Sequence, residues 1–468
     1  MSTETVAPES EQGPQLGKGL RQRHVTMISL GGIIGAGLFV GSSTAIANIG
    51  PAATVTYALA GLIVLFVMRM IGEMAVALPG RSSFTEYVRA GLGDLGGFTA
   101  GWLYWYFWVI VVAVEAVAGA ELLQRWVPAP MWLIALALVI TMTVVNCFAV
   151  RSYGEFEFWF ASIKVAAIIV FIALGLGYAF GWTSDAGPTF GNLTSGGGFF
   201  AMGLAAVFAG VPTVIFAICG AEIATIAAAE SDEPAKSVAQ MTRSVIVRVL
   251  TFYVGAVLVI VAVVPWQKIV SGQSPFVAAM DEMSIPAAGD IMNIIVVIAV
   301  LSCMNSGVYV ASRVLFGLSV RGDAPTMFSG LSKRRVPLRA ILAGGVVGYV
   351  AVGAAIFSPD GLFAFLVNAS GAIMLLVYLL IGFSQLRLRR RLEREGTSLS
   401  LKMWLFPWLT IVVIGAIVAV LVAMAFQSAL APQLYASLAS VAVVLVAFVL
   451  RRRLGSRSQS STRVGSGE

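Results

Sequence analysis

Three ionisable side chains, Glu115, Lys164 and Glu222, lie deep inside long apolar stretches of the sequence. A charge at such a position is costly within a membrane, and it usually faces a partner or a water-filled path. Burial disfavours the charged form of an amine, so Lys164 is suited to release and regain a proton. We predict that all three side chains carry protons. The structural alternatives are that Lys164 snorkels to a membrane face, that Glu115 bonds a neighbouring helix, and that Glu222 is a cap or packing acid.

A glycine-rich stretch, SLGGIIGAGLFVG at residues 29–41, is poorly suited to an unbroken helix. Each glycine costs roughly 0.5–1 kcal/mol relative to alanine. Unwound backbone inside a membrane must be buried in protein or face a water-filled cavity. We expect two half-helices to meet at Gly35, Ala36 and Gly37, where the amides of the second half bind an anion and the carbonyls of the first half bind a cation. The alternative is close helix packing through small residues.

A second long segment, residues 199–229, exceeds the length of one membrane crossing and contains Pro212 and Gly220. We predict that it is also interrupted, with Glu222 at the start of its second half, where a helix N-terminus stabilises a carboxylate. Two facing breaks would supply opposite partial charges at two separate points. A small zwitterion satisfies both, and extra methylenes between its ends fit an apolar gap.

The composition indicates a polytopic membrane protein, since 59% of the 468 residues are hydrophobic and 11% are charged. His24 is the only histidine, and the three cysteines, Cys147, Cys219 and Cys303, lie in apolar runs. We therefore expect no disulfide framework, no metal site and no cofactor. The deep polar residues are too few and too scattered for an enzyme's constellation of nucleophile, base and metal.

We predict twelve apolar spans, because about 20 apolar residues cross a bilayer once. They lie near residues 25–48, 52–78, 98–126, 130–150, 156–180, 199–229, 244–265, 288–319, 338–357, 361–385, 404–426 and 433–451. An even number places both termini on one side, and the concentration of Lys and Arg in alternate loops makes that side cytoplasmic. The same loops explain the net charge of +7 without a nucleic-acid partner, and the basic runs 389–391 and 451–453 fit topology anchors better than lipid-specific sites. The predicted organisation is a cytoplasmic tail 1–23, a first repeat 24–180, an extracellular loop 181–198, a second repeat 199–386, a cytoplasmic loop 387–403, two spans within 404–451 and a cytoplasmic tail 452–468.

Further interpretations concern the second and third spans. Arg69 and Glu73 stand four residues apart in the second span, which predicts an intrahelical ion pair, with a gating role as the alternative. The aromatic side chains of GWLYWYFWV, residues 101–109, are typical of an interfacial belt. Between these spans, the stretch 82–93 predicts a short amphipathic helix that is re-entrant or lies at the surface.

Spans one and six, which carry the two predicted breaks, are five crossings apart and therefore run through the membrane in opposite directions. This is the arrangement of inverted repeats, in which the substrate binds at the midplane between two discontinuous helices.

Long stretches carry a family resemblance, among them RHVTMISLGGIIGAGLFVGSSTAIA, YGEFEFWFASIK, GAEIATIAAAESDEPAKS and SCMNSGVYVASRVLFGLSVRGDAP. With them the chain resembles the amino acid–polyamine–organocation (APC) superfamily, in its bacterial amino acid transporter family, and is most similar to 4-aminobutyrate (GABA) permeases. The resemblance runs nearly end to end. It implies an all-α, LeuT-like fold of five plus five inverted helices, with helices 1 and 6 discontinuous, two further C-terminal helices, and transport by alternating access.

The resemblance also implies roles for single residues. Gly35, Ala36 and Gly37 match the turn that binds the substrate carboxylate, although some GABA permeases carry a hydroxyl residue where this chain has Gly37. Lys164 falls where proton-coupled relatives place a lysine in the volume that sodium occupies in sodium-coupled ones. Phe216 matches an aromatic position that caps the substrate. The positions whose carbonyls hold the amine are matched by Ile33, Ile34, Phe216, Ala217 and Cys219, with Gly220 at the break beside them.

In the eighth span, Ser302, Cys303 and Asn305 are candidates for lining the transport path, with packing and helix–helix hydrogen bonding as the alternative.

We expect proton-coupled uptake of GABA or a closely related small zwitterionic amino acid across a bacterial inner membrane, with the proton and membrane lipid as further partners. Within transporters, the alternatives are a permease or exchanger for another amino acid, such as proline, β-alanine or an aromatic one. From a different class, the alternative is a substrate-sensing receptor or channel on the same scaffold.

Overall fold

The computed structural model describes residues 34–81, 83–148, 151–182, 188–222, 236–237, 240, 245–357 and 359–464. Within these ranges, side chains are described except at 151–156, 347, 355, 357, 359–360 and 454–464. The described backbone consists of helices joined by turns and short connections, and it contains no strand. The all-α prediction is therefore confirmed.

We number the α-helices in chain order. A π-helical stretch, Val249–Gly255, leads directly into the ninth of them. They are α1 (Ala36–Phe39), α2 (Gly41–Ile49), α3 (Ala53–Ala77), α4 (Phe84–Leu123), α5 (Met131–Phe148), α6 (Arg151–Ala179), α7 (Gly203–Ala209), α8 (Val211–Ile218), α9 (Ala256–Val263), α10 (Pro275–Glu282), α11 (Ala288–Val320), α12 (Leu338–Phe357), α13 (Pro359–Arg394), α14 (Trp408–Phe426) and α15 (Ala431–Val464).

Among the described residues, nine helical segments are long and apolar enough to cross a membrane, and two shorter apolar ones lie at 203–218 and 338–354. One of the nine, Ala36–Ala77, runs through α1, α2 and α3, so it combines part of the first predicted span with the whole of the second. The chain is therefore a multi-pass membrane protein. The exact number of twelve spans stays a prediction.

Both predicted helix breaks are present. Gly35 is extended, with φ −140° and ψ −147°, and α1 begins at the next residue. After α8, Cys219 has ψ 155°, and Gly220 has φ +104°, a conformation in which a side chain would be strained. Residues 1–33 and 223–235 lie outside the described part of the chain, so each break is seen from one side. The non-helical backbone at Gly35 and at Cys219–Gly220 agrees with the predicted discontinuity of spans one and six.

The third span lies at the centre of the molecule. Its helix, α4, packs against α11 and α13. In an 18-residue apolar window of α4, 83% is buried, against 11% in α15, so α4 is surrounded by protein whereas α15 is peripheral. Gly93, at φ +81°, separates a short helix at 84–92 from the long remainder of α4. This confirms the predicted short helix, and its position relative to the membrane stays a prediction.

The interfacial belt predicted for residues 101–109 is wrong for two of its side chains. Tyr104 and Trp108 are only 4% and 5% exposed, because the helix that carries them is central and not peripheral. Both rings pack against Phe107, which is also buried. These aromatic side chains therefore face the interior of the protein.

The predicted ion pair between Arg69 and Glu73 is also wrong. Glu73 accepts hydrogen bonds from Gln385 and Arg389 of α13, each at 2.8 Å, and from the backbone amide of Met403. The hydrogen-bond partner of Arg69 is the backbone: its Nε donates to the carbonyl of Lys402 at 3.0 Å. A buried carboxylate needs several donors, and α13 offers more of them than one helical neighbour does.

Candidate functional site

The first helix break is held by a carboxylate from the central helix. The backbone N–H of Ala36 donates to Oε1 and Oε2 of Glu115, at 3.1 and 3.0 Å. Glu115 lies on α4 and is 1% exposed. The positive end of a helix and its free amides stabilise an anion at this position. The amide predicted to bind an external carboxylate is therefore occupied by Glu115 in this conformation, and Glu115 does hydrogen-bond a neighbouring helix.

Lys164 lies on the other side of the same break. Its Nζ donates to the carbonyl oxygen of Ile34 at 3.1 Å and to Oγ of Ser302 at 2.9 Å. The side chain is completely buried, so the snorkelling alternative is wrong. The long, flexible stem lets a lysine on α6 reach the unwound backbone just before α1. The carbonyl expected to hold a substrate amine is thereby held by an amine of the protein itself.

A second buried carboxylate, Glu157, completes this cluster, and sequence reasoning missed it. Its Oε1 accepts a hydrogen bond of 2.7 Å from Ser302 and lies 3.7 Å from Nζ of Lys164. Glu157 and Lys164 are seven residues apart on α6, which places them two turns apart on one face. That spacing was visible in the motif YGEFEFWFASIK and was the available signal.

The second helix break carries its own carboxylate. Oε2 of Glu222 accepts the backbone N–H of Gly220 at 3.0 Å, and Oε1 accepts the hydroxyl of Tyr104, also at 3.0 Å. Arg248, which precedes α9, is buried and interacts electrostatically with Glu222. The structural alternative, a capping role for Glu222, is therefore realised in this conformation. At each of the two breaks, one glutamate accepts a hydrogen bond from a buried backbone N–H.

A cavity of about 20 Å³ lies between the two breaks. This is room for about one water molecule, so an amino acid enters only if side chains move. Several predicted site residues line it, together with three residues of α4 that sequence reasoning did not select. The lining is Gly37, Phe107, Trp108, Val111, Glu115, Phe216, Ala217, Cys219 and Cys303.

Gly37 has a packing role at this cavity. A Cβ added to it would stand 2.7 Å from Cα of Ala217 and 3.2 Å from the ring of Phe216. The absence of a side chain therefore lets α1 and α8 approach each other. Gly37 therefore allows close helix packing, as the alternative for the glycine cluster predicts, and it also lies in the proposed binding turn.

The remaining predicted residues divide between the site and the surrounding scaffold. Ser302 and Cys303 are buried at the site. Oδ1 of Asn305 accepts a hydrogen bond of 2.7 Å from Asn146 of α5, which favours helix–helix bonding for this residue. Ile33 lies outside the described residues.

A larger cavity of about 310 Å³ begins one turn beyond Glu115 along α4, at Val117 and Ala118. Its other walls come from Glu121 of the same helix, from the connection at 270–273, from Met131 and from Phe363 of α13. Backbone and side chains of that connection bond α2: the amide of Gly272 donates to Oγ of Ser43 at 3.0 Å. The cavity is therefore lined by the C-terminal part of α4, next to the turn that carries Glu115.

Comparison with solved structures shows the fold. A variant of the manganese transporter of Eremococcus coleocola matches with a TM-score of 0.57 at 15% identity, covering 92% of this chain and 93% of that one. A structure of the same transporter with an aromatic bis-isothiourea compound matches with a TM-score of 0.54 at 12% identity. These likenesses show a LeuT-like fold, as predicted, and nothing about the substrate.

Comparison with sequences shows the family. The amino acid permease family model matches residues 24–456. The gamma-aminobutyric acid permease of Bacillus subtilis is 48% identical, over 95% of each chain. The gamma-aminobutyric acid permease of Escherichia coli is 45% identical over 90% of this chain and 91% of its own, and the aromatic amino acid transport protein AroP of Corynebacterium glutamicum is 40% identical over 93% and 94%. The chain therefore belongs to the amino acid permease family of the APC superfamily.

Proposed function

We propose that the protein is a secondary active transporter that imports GABA, or a closely related small zwitterionic amino acid, together with protons. The named activities of the relatives in Bacillus subtilis and Escherichia coli support GABA as the substrate. We further propose that it works in a bacterial inner membrane with both termini cytoplasmic, as the distribution of Lys and Arg favours. The first repeat then comprises residues 24–180 and the second 199–386.

The observation that carries this proposal is the pair of internal ligands at the first break. Glu115 holds the amide of Ala36, and Lys164 holds the carbonyl of Ile34. A zwitterion presents the same two groups, a carboxylate and an ammonium. We infer that the substrate takes over these backbone partners when the internal carboxylate and ammonium withdraw.

Proton transfer supplies a reason for them to withdraw. A neutral Glu115 or a neutral Lys164 binds the backbone less strongly, because charge-assisted hydrogen bonds are roughly twice as strong as neutral ones. In our proposal, Lys164 gains or loses a proton as the inner helices open or close, with Glu115 and Glu222 as further carriers. A change in protonation then favours the exchange of backbone partners between the protein's own groups and the substrate.

The position of the larger cavity is consistent with import of the substrate from the outside. In the proposed orientation α4 runs from the cytoplasm outward, so the cavity of about 310 Å³ beside Val117 opens toward the outside. Between it and the small cavity lies the turn of α4 that carries Glu115. We propose that the substrate waits in the larger cavity and enters when Phe216 moves, since that ring lines the small cavity.

An aromatic amino acid is the second candidate substrate. A relative named as an aromatic amino acid transport protein is 40% identical over 93% of this chain. Phe107, Trp108 and Phe216 line the cavity and offer ring faces to an aromatic side chain.

Uptake into proteoliposomes tests the proposal. We expect an inward proton gradient, imposed without sodium, to drive accumulation of radiolabelled GABA, and dissipation of the gradient to stop it. A panel of unlabelled GABA, β-alanine, proline and tryptophan then ranks the substrates by competition. GABA accumulation that ignores the proton gradient would contradict the coupling, and competition by tryptophan alone would favour the aromatic candidate.

A further inference from the structure

Glu157 is a buried carboxylate that has no role in the proposed binding site and was not among the residues predicted from the sequence. We propose that Glu157 accepts the proton that Lys164 releases, through the hydroxyl of Ser302, and passes it toward the cytoplasm. This inference rests on the proposed function, because it concerns the exit of the coupled proton. It adds Glu157 to the proposed proton carriers Lys164, Glu115 and Glu222.

The distances favour a relay through the serine over direct transfer. Nζ of Lys164 is 3.7 Å from Oε1 of Glu157, which exceeds hydrogen-bond length. The two legs through Ser302 are 2.9 and 2.7 Å, and both are hydrogen bonds. A serine hydroxyl accepts and donates at once, so it can take one proton and give another.

The transfer balances without any further reactant. An N–H bond of the Lys164 ammonium breaks and its proton binds Oγ of Ser302, while the original hydroxyl proton of Ser302 binds Oε1 of Glu157. The products are a neutral amine, an unchanged serine and a neutral carboxylic acid. Rotation of the serine hydroxyl restores the starting arrangement.

The bonding of Glu157 differs from that of a structural buried carboxylate in the same protein. Both oxygens of Glu73 are bonded, by Gln385, Arg389 and the amide of Met403. Glu157 is as deeply buried, at 1% exposure, but its Oε2 has no hydrogen-bond partner among the described residues. An unbonded oxygen in a buried carboxylate is costly, and protonation removes the charge that makes it so. Glu157 is thus suited to hold a proton in passing.

The position of Glu157 gives the relay a direction. It lies seven residues before Lys164 on α6, which is about 10 Å along the helix. In the proposed orientation α6 starts at the cytoplasmic side, at Arg151, so Glu157 is the more cytoplasmic of the two. Among the described titratable groups, Cys303 of α11 interacts electrostatically with both Lys164 and Glu157, and Glu115 of α4 interacts with Lys164.

The experiment compares net uptake with exchange. Net uptake requires the carrier to lose its proton inside, whereas exchange of internal unlabelled GABA for external labelled GABA does not. For Glu157→Gln we expect gradient-driven net uptake to fall by about a hundredfold, the lower end of what a lost acid–base group costs. Exchange should be retained, because the amide preserves the shape and polarity of the side chain. Ser302→Ala also removes a hydrogen bond from the Lys164 ammonium at the site, so we expect net uptake to fall by a larger factor than exchange. Glu157→Asp should partly restore net uptake. Glu73→Gln is the matched control, a buried acid off the path, for which uptake and exchange should change together.

Three results would overturn the relay. The first is undiminished gradient-driven uptake by Glu157→Gln. The second is an equal loss of uptake and exchange in Glu157→Gln, provided that this variant elutes as a folded, monodisperse protein. The third is normal net uptake by Ser302→Ala. If Glu157→Gln does not fold, the ratio of uptake to exchange in Glu157→Asp and Ser302→Ala decides. Absence of gradient-driven uptake in the wild-type protein would instead contradict the proposed function, so the two failures are distinguishable.

Discussion

The ammonium of Lys164 donates a hydrogen bond of 3.1 Å to the carbonyl oxygen of Ile34, which directly precedes the break before α1. A carbonyl freed from a helix must find another donor when it is buried. Here the donor comes from a residue 130 positions further along the chain, and its strength depends on a proton. The charge of one side chain is thus connected to the backbone conformation at the proposed substrate site.

Removal of the Lys164 amine should stop the coupling of uptake to the proton gradient without preventing the binding of GABA. We expect Lys164→Ala to abolish gradient-driven accumulation of GABA in proteoliposomes, while binding remains detectable by isothermal titration calorimetry, because Ile34 keeps its carbonyl for the substrate. Lys268→Ala is the control, since Lys268 is exposed and pairs with Glu282 at 3.2 Å away from the site. Unchanged accumulation by Lys164→Ala would remove the lysine from the mechanism.

In our proposal, the Glu115 carboxylate competes with the substrate carboxylate for the backbone N–H of Ala36, and neutralising Glu115 weakens this competition. In Glu115→Gln a neutral amide oxygen accepts the N–H of Ala36, and that bond is weaker than one to a carboxylate by about 1 kcal/mol. We therefore expect GABA to bind roughly five- to tenfold more tightly, with less dependence of its Kd on pH, as measured by titration calorimetry between pH 5 and pH 8. Glu395→Gln, at an exposed position, should leave both properties unchanged. Weaker binding by Glu115→Gln would show that Glu115 assists the substrate and does not compete with it.

Side chains at the broken helix should be poorly tolerated. A Cβ at Gly35 would lie 2.4 Å from Cβ of Cys303 and 2.5 Å from Oε1 of Glu115. We expect Gly35→Ala to cost about 1–3 kcal/mol of overpacking, visible as a lower Tm in detergent, and to reduce uptake. Gly415→Ala on α14 is the matched control, because nothing lies within 4 Å of its added Cβ. Equal Tm values for the two variants would contradict the close contact.

The ion pair between Glu73 and Arg389 should matter for stability more than for coupling. Removing one partner of a buried pair leaves an uncompensated charge and costs about 3–5 kcal/mol. We expect Arg389→Gln to lower Tm strongly, and the double variant Glu73→Gln/Arg389→Gln to recover part of the loss. The proton dependence of the remaining uptake should match wild type. A Tm unchanged in Arg389→Gln would show that the other donors to Glu73 suffice.

Much of the site could be predicted because its parts are local. Glycines that disfavour a helix, and the rule that unwound backbone in a membrane must be buried or hydrated, placed the breaks at Gly35 and Gly220. The same cost of charge in an apolar span selected Glu115, Lys164 and Glu222. These arguments use only the identity of a residue and its distance from the ends of its own span.

The hydrogen-bond partners of the buried carboxylates could not be predicted from the sequence, because they are far away in the chain. Glu73 was assigned to Arg69, four residues away, but its donors Gln385 and Arg389 are more than 300 residues away in the chain. The sequence pattern does not identify Glu157 as part of the site. Its hydrogen-bond partner Ser302, at 2.7 Å, lies 145 positions away in the chain. Helical periodicity says which side chains share a face, but it does not say which helix that face meets.

The sequence by itself determined the class of protein, the breaks in spans one and six, and the charged residues that lie deep in apolar spans, because each follows from composition and local backbone chemistry. Only the tertiary structure decided which groups those residues bond, that Tyr104 and Trp108 point inward, and that the cavity between the breaks measures about 20 Å³. Those properties depend on the crossing and rotation of whole helices, which are set by packing among many residues at once.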